Sequence, residues 1–383
     1  MLASSYHSAL VEQIKADDFR FSSGRLTVHL AREFGFCYGV DRAVDYAYQT
    51  RERFPDRRVF LTGEIIHNPH VNEKLRAMGI QFIGHDEHAV DVLGSDDVVI
   101  LPAFGVTVGM LHRLDARGCT LIDTTCGSVL NVWKNVRRYA EGGYTSIIHG
   151  KVWHEETQAT ASQAVAYGGR YLVLLDRREA ECVCDVIRRP FPSPGADDAD
   201  RHAFVERFGG AASPGFEPGR DLQRIGLANQ TTMLMSESLE IGEMLKVAML
   251  ERYGASEMDS HFQAFDTICS ATQDRQDAVV ALLREQPLDL MIVIGGYNSS
   301  NTCNLARICA GSRPTFHIAD PECLVSADEI RHRPVGSKTE VPSTSWLPTD
   351  GPIRIGLTSG ASTPDNLVGA VVAKLADFAR SPA

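Results

Sequence analysis

Short apolar runs alternate with longer stretches in which apolar residues recur every three or four positions, a pattern that predicts strands and helices in turn. "CTLID" reads as a strand and "SVLNVWKNVRRYAEGG" as a helix, with Val129, Val132, Trp133 and Val136 on one face and Gly142 and Gly143 as its stop. Cys126 therefore lies between a strand end and a helix start. Cys269 repeats the arrangement ahead of "ATQDRQDAVVALLREQP", where Ala278, Val279, Leu282 and Leu283 share a face. Cys37 repeats it again between "LTVHLAREFGFC" and "GVDRAVDYAYQTRERFP".

The likeness continues after each cysteine. A helix is followed by an apolar strand ending in a polar loop: "VFLTGEIIHN", "TSIIHGKVWHEET" and "LMIVIGGYNSSN". The separations are 30 residues from Cys37 to His67, 28 from Cys126 to His154 and 30 from Cys269 to Ser299. A further strand follows ("GIQFIG", "GGRYLVLL", "RPTFHIAD"), and a last one closes each unit in a small-residue loop: "DVVILPAFGV", "RIGLANQTTM" and "PIRIGLTSGAST". The expectation is an α/β chain of three pseudo-repeated units: an amino-terminal extension over 1–25, a first unit over 26–125 with Cys37, a second over 126–265 with Cys126, and a third over 266–383 with Cys269. The Pro-, Gly- and Asp-rich stretch 188–220 reads as a surface insertion in the second unit, and "RHRPVGSKTEVPSTSWLPTDGP" as a second loose stretch.

Alternating strands and helices imply parallel sheets, whose ligand sites lie at the carboxyl ends of strands. All three cysteines and all the polar loops fall at such ends, so three units facing one another would bring Cys37, Cys126 and Cys269 to one centre.

Charge and composition narrow the chemistry. The formal net charge of −11 argues against a partner bound by phosphate neutralisation along nucleic acid, while leaving room for a local anion pocket. No apolar run reaches the length of a membrane span and the leader has no apolar core, so the chain reads as cytoplasmic, with no membrane partner. Nine cysteines in 383 residues are too sparse for a disulfide scaffold, which leaves core filler, metal ligands or nucleophiles.

Any one cysteine is most simply a small hydrophobe. Three at equivalent positions of a repeat, each at a helix start that favours a thiolate, point to a metal centre. Three ligands rather than four would leave one iron of a cubane cluster open to a substrate oxygen. The surrounding loops supply His67, Asn68, His154, Glu156, Thr231, Thr232, Asn298, Ser299, Ser300, Asn301, Ser362 and Thr363. Imidazoles, hydroxyls and amides suit phosphate oxygens, although such residues are also what turns prefer. Glu156 would be the natural proton donor. Cys182 and Cys184 point to different sides of a helix, Cys119, Cys303, Cys309 and Cys323 read as core, and His70, His85, His88 and His112 as surface or packing positions.

The segments "GFCYGVDRAV", "EIIHNPHVN", "DTTC", "IHGKVWHEET", "ANQTTM", "DTICSATQDRQDA", "GGYNSSNTCNL" and "TSGASTPD" together resemble the 4-hydroxy-3-methylbut-2-enyl diphosphate reductases, the LytB type, in their plant and cyanobacterial branch. The resemblance implies a trefoil of three α/β units around a central [4Fe-4S] iron-sulfur cluster held by Cys37, Cys126 and Cys269. It implies reductive loss of the substrate's hydroxyl as water, giving isopentenyl and dimethylallyl diphosphates in the last step of the non-mevalonate route. Glu156 matches the family's proton donor and Thr231 the threonine that helps deliver the proton. His67, His154, Ser299, Ser300, Asn301 and Ser362 match diphosphate contacts, and reduced ferredoxin or flavodoxin would be the electron donor. The chain departs from the family where Phe104 replaces a histidine of many bacterial members, and where Gly127–Asn131 replaces the usual Pro-led, Lys-ended stretch after the cysteine. Two other classes share the cysteine pattern: a hydro-lyase working without an electron donor, and a non-catalytic cluster sensor.

Overall fold

The chain's strands pair mostly in parallel. In this computed structural model, which describes residues 6–84, 87–189, 198–265 and 267–380, they are β1 (Arg20–Ser23), β2 (Leu26–Leu30), β3 (Val59–Thr62), β4 (Ile80–Ile83), β5 (Val98–Leu101), β6 (Thr120–Asp123), β7 (Thr145–His149) and β8 (Arg170–Leu174). They continue as β9 (Ile225–Asn229), β10 (Phe262–Ala264), β11 (Leu290–Ile294), β12 (Thr315–Ile318), β13 (Glu329–His332), β14 (Val341–Thr344) and β15 (Ile353–Ser359). His85 and Asp266 lie outside the described residues, as does 190–197 of the insertion.

The chain divides into two compact units. One comprises the chain to Arg53, Glu64–Gly79 and everything from Ser270 onward. Its main sheet has the order β1-β2-β15-β11-β12, parallel except for the β1–β2 hairpin, and β13 and β14, within or beside the stretch read as loose, form a separate antiparallel pair. Successive side chains of a strand point to opposite faces, so a central strand must be apolar on both. In β11, Ile292 and Ile294 pack in a cluster with Val368, Val371 and Val372 of the helix Asp365–Arg380. Met291 and Val293 pack in another with Val279 of the helix Ser270–Glu285 and Leu305 of the helix Ser300–Ala310.

β2, read from sequence with the first unit, pairs instead with β15, in register Leu26↔Ile353 through Leu30↔Leu357. The physical reason is its alternation, which buries Leu26, Val28 and Leu30 in the first of those clusters. The segment read as an extension is also built in: Val11 and Ile14 of the helix Ala9–Ala16 join the same core.

The other unit comprises Phe54–Gly63 and Ile80–Cys269, with two all-parallel sheets ordered β4-β3-β5-β6 and β10-β9-β7-β8. In the second sheet Ile147, Leu172, Ile225 and Leu227 pack with Val183 and Ile187 of the helix Arg177–Arg188 and with Ile241 and Leu245 of the helix Met235–Tyr253. On β9, a Cβ at Gly226 would lie 2.5 Å from the Tyr139 ring, so the glycine is what admits that buried tyrosine. The insertion is less superficial than its composition predicts, because Phe204 and Phe208 of its helix Asp198–Phe208 are buried in this core. Among the described residues no helix is long and apolar enough to cross a membrane.

Candidate functional site

Two polar clusters form at the carboxyl ends of strands, one in each unit. In the unit that contains β7 and β9, Gln230 extends the ladder by donating its N–H to the His149 carbonyl at 2.8 Å, and the chain then turns through Thr231 and Thr232. Opposite this turn the helix Glu155–Ala166 starts, with His154 as its N-cap. His154 Nδ1 accepts the Glu156 N–H at 3.2 Å, which places any single ring proton on Nε2.

Glu156 is 1% exposed, and one threonine holds both its carboxyl oxygens. The Thr231 N–H donates to Oε1 at 2.6 Å and the Thr231 hydroxyl lies 3.0 Å from Oε2. These contacts are not equivalent. A main-chain N–H can only donate, so Oε1 must accept and a proton on Glu156 belongs on Oε2. A hydroxyl can reverse, accepting from Oε2–H while donating elsewhere. The arrangement can therefore hold a proton on Oε2 and, if the hydroxyl reverses, pass it on.

Side chains around the pair fix its place. Gln230, quoted within a motif but assigned no role from sequence, accepts from the Lys151 N–H (3.1 Å) and the Thr157 hydroxyl (3.2 Å), and donates to Thr232 (2.9 Å). The Cys269 N–H donates to the Thr231 carbonyl at 3.3 Å, joining that cysteine's loop to the carboxyl clamp. Cys126 is the N-cap of the helix Gly127–Glu141, its side chain making no capping bond, and its N–H donates to the Ala103 carbonyl at 3.0 Å. Next to Ala103, Phe104 meets the His154 ring edge-on at 5.4 Å. A Cβ on Gly127 would meet nothing within 4 Å, so a side chain there has room.

In the other unit the cluster is built of hydrogen-bond donors. Ser299 caps the helix Ser300–Ala310, accepting from the Thr302 N–H at 3.3 Å, and Ser299, Ser300 and Asn301 are all buried. Helix starts concentrate N–H groups and positive potential, which suits an anion. Ser362 donates to the His67 carbonyl at 3.3 Å. His67 Nδ1 lies 2.9 Å from Glu64 Oε2, a partner that sequence reasoning missed because nothing in the local pattern marks it.

Asn68 caps the helix Pro69–Ala77 through Oδ1, and among the described residues its Nδ2 has no partner although the residue is 1% exposed. A buried donor left unpaired is costly unless a bound group satisfies it. Cys37 belongs to this cluster through the main chain: its N–H donates to the Ala361 carbonyl at 3.2 Å, and the Ala361 N–H donates to Asn301 Oδ1 at 3.0 Å. Gly35, at φ +78°, turns the chain just before Cys37 and is held by its carbonyl to Arg275, a third residue to which the sequence assigns no role, at 2.8 Å.

The cysteines fall into two classes. All nine are outside disulfides, and Cys37, Cys126 and Cys269 are half-buried ahead of helices. Burial pushes the Cys184 thiol up to about 11 and the Cys309 thiol up to about 12, and raises that of Cys323, as expected of core filler. Cys119 and Cys303, also expected in the core, are half-buried instead.

Relatives carry the same architecture. The chain is 48% identical over 99% of its length to the 4-hydroxy-3-methylbut-2-enyl diphosphate reductase of Synechococcus sp. (strain RCC307), covering 91% of that protein. It is 50% identical to the reductase of the same name from Parasynechococcus marenigrum (strain WH8102), over 98% of this chain and 91% of that one. The fold is shared with a solved (E)-4-hydroxy-3-methyl-but-2-enyl diphosphate reductase (TM-score 0.55, 24% identity, 91% of this chain and 99% of that one). It is shared as well with the E-1-hydroxy-2-methyl-but-2-enyl-4-diphosphate reductase structure from Plasmodium falciparum (TM-score 0.63, 21% identity, 90% and 86%). With the family's sequence model matching residues 28–376, the chain belongs to the LytB protein family.

Proposed function

We propose that this chain reduces (E)-4-hydroxy-3-methylbut-2-enyl diphosphate to isopentenyl and dimethylallyl diphosphates, the last step of the non-mevalonate isoprenoid route. The reaction takes up two electrons and two protons and releases the hydroxyl oxygen as water. The observation that carries the reading is the Glu156–Thr231 clamp tied to the Cys269 loop, in a chain nearly half identical end to end to proteins bearing that name.

Cys37, Cys126 and Cys269 would hold a [4Fe-4S] cluster in a trefoil arrangement of the α/β units. Their chemistry fits: they are unbridged, half-buried and at helix starts, unlike Cys184, Cys309 and Cys323 in the core. When bound, such a cluster supplies electrons one at a time and, with three protein ligands, an iron able to take an oxygen ligand. Reduced ferredoxin or flavodoxin is the expected electron source, in a cytoplasmic setting.

The side chains do the rest. Glu156 holds on Oε2 the proton that departs with the hydroxyl oxygen, and Thr231 reverses its hydroxyl to deliver it. The diphosphate is held by the donors of Ser299, Ser300, Asn301 and Ser362 and by the imidazoles of His67 and His154, while the unpaired Asn68 amide adds a further donor. Anaerobic turnover of the substrate with a reduced donor and product analysis tests the reading. Both diphosphate products and a requirement for the donor are expected; colourless protein under full iron and sulfide supply, or turnover without a donor, would reject it.

A further inference from the structure

The loop between β11 and the helix Ser300–Ala310 carries a large aromatic, Tyr297, between glycines and short polar residues. Its neighbours fix one side of the loop. A Cβ on Gly296 would stand 2.4 Å from the His67 carbonyl oxygen, and Asn298 donates to Glu64 Oε2 at 3.0 Å. Tyr297 is gripped separately. Its hydroxyl donates to Glu340 Oε2 at 2.8 Å, the Arg333 guanidinium lies 4.9 Å from its ring centroid, and the His317 ring meets it edge-on at 5.0 Å. Its carbonyl accepts from Cys303 Sγ at 3.3 Å, and Arg333 donates to that same sulfur at 2.8 Å.

Arg333 and Glu340 both belong to the connection between β13 and β14, the stretch that composition marks as loose. Burial, aided by the hydrogen bond to Glu340, lifts the Tyr297 hydroxyl above the ordinary phenol range, so it stays a neutral donor. A neutral hydroxyl donating to a carboxylate is among the stronger hydrogen bonds available to a loop. A ring held on one face by a cation and on an edge by a second ring has little rotational freedom. Its main chain leads directly into Ser299.

We infer that Tyr297 is a positioning residue, clamped by Arg333 and Glu340 of the β13–β14 connection so that Ser299, Ser300 and Asn301 are fixed for a bound anionic group. The inference rests on the diphosphate reading of that helix start. Placement matters because donors misplaced by a fraction of an ångström lose much of a charge-assisted contact.

The test uses the full-length, cluster-loaded protein and two variants. Tyr297→Phe removes one hydroxyl and keeps the ring; Glu340→Ala removes the acceptor. Amide hydrogen exchange over 298–303 should quicken in both, inorganic diphosphate should bind about 3- to 10-fold more weakly, and KM should rise with kcat nearly unchanged. Glu340 also pairs with Arg331 at 3.5 Å, so the double variant should weaken diphosphate binding little more than Glu340→Ala alone, the Tyr297 contact being already lost there. Unchanged exchange and affinity in Tyr297→Phe would overturn the inference, as would a fall in kcat alone or a general loss of folded protein. If wild type binds no inorganic diphosphate while exchange still quickens, the clamp stands and the diphosphate reading of the loop fails.

Discussion

The Glu156 cluster and the Ser299–Asn301 cluster occupy equivalent places, at the carboxyl ends of parallel strands, yet they are suited to opposite tasks. At the first, a single threonine occupies both oxygens of a buried carboxyl group and one of those contacts can reverse. At the second, hydroxyls and amides gather at a helix start, and neighbouring Asn68 has a buried N–H group that finds no acceptor among the described residues. On the proposed reading the first suits proton handling and the second anion holding, and a few side chains make the difference. The lesson is that strand ends supply position and residues supply chemistry.

The largest effect expected is on the proposed iron–sulfur centre. Cys126→Ser should lower iron per chain by about tenfold or more and abolish turnover, whereas Cys309→Ala should leave iron unchanged and cost about 1 kcal/mol of stability; iron analysis and thermal melting read both. Glu156→Gln should cut kcat by about 10²- to 10⁴-fold with iron content and KM little changed, which breaks the comparison if KM moves instead. Thr231→Val keeps the N–H to Oε1 and loses the reversible contact, so kcat should fall about tenfold.

Sharpening the comparison from the other side, Asn68→Asp preserves the cap on the Pro69–Ala77 helix and turns the unpaired donor into an acceptor. KM should then rise about tenfold at unchanged kcat and melting temperature. The smallest effect concerns the departure after Cys126: Gly127→Pro at the first helical position should stabilise by about 0.4–1 kcal/mol without altering kcat, measurable by denaturant titration.

Much of this was legible beforehand for stated reasons. The apolar runs are short and bounded by turn residues, so β3, β5, β7, β9, β11 and β15 each fall where the pattern predicts. Glu156 and Thr231 stood out because their motifs end strands. Gln230 and Arg275 did not, since each acts through partners distant in sequence, Gln230 on Lys151 and Thr157 and Arg275 on Gly35, and Glu64 did not because its link to Asn298 is as remote, although it also meets nearby His67. The hairpin connection carrying Arg333 and Glu340 looked structureless because composition cannot show a grip on Tyr297.

Local periodicity thus determined the elements, their alternation and the position of each cysteine at a helix start, because those follow from side-chain spacing along a few turns of chain. The tertiary structure alone decided that β2 pairs with β15, that Phe204 and Phe208 of the insertion reach the core, and that both oxygens of Glu156 fall to one threonine. Such contacts join residues far apart in the chain, and only folding sets the distance between them.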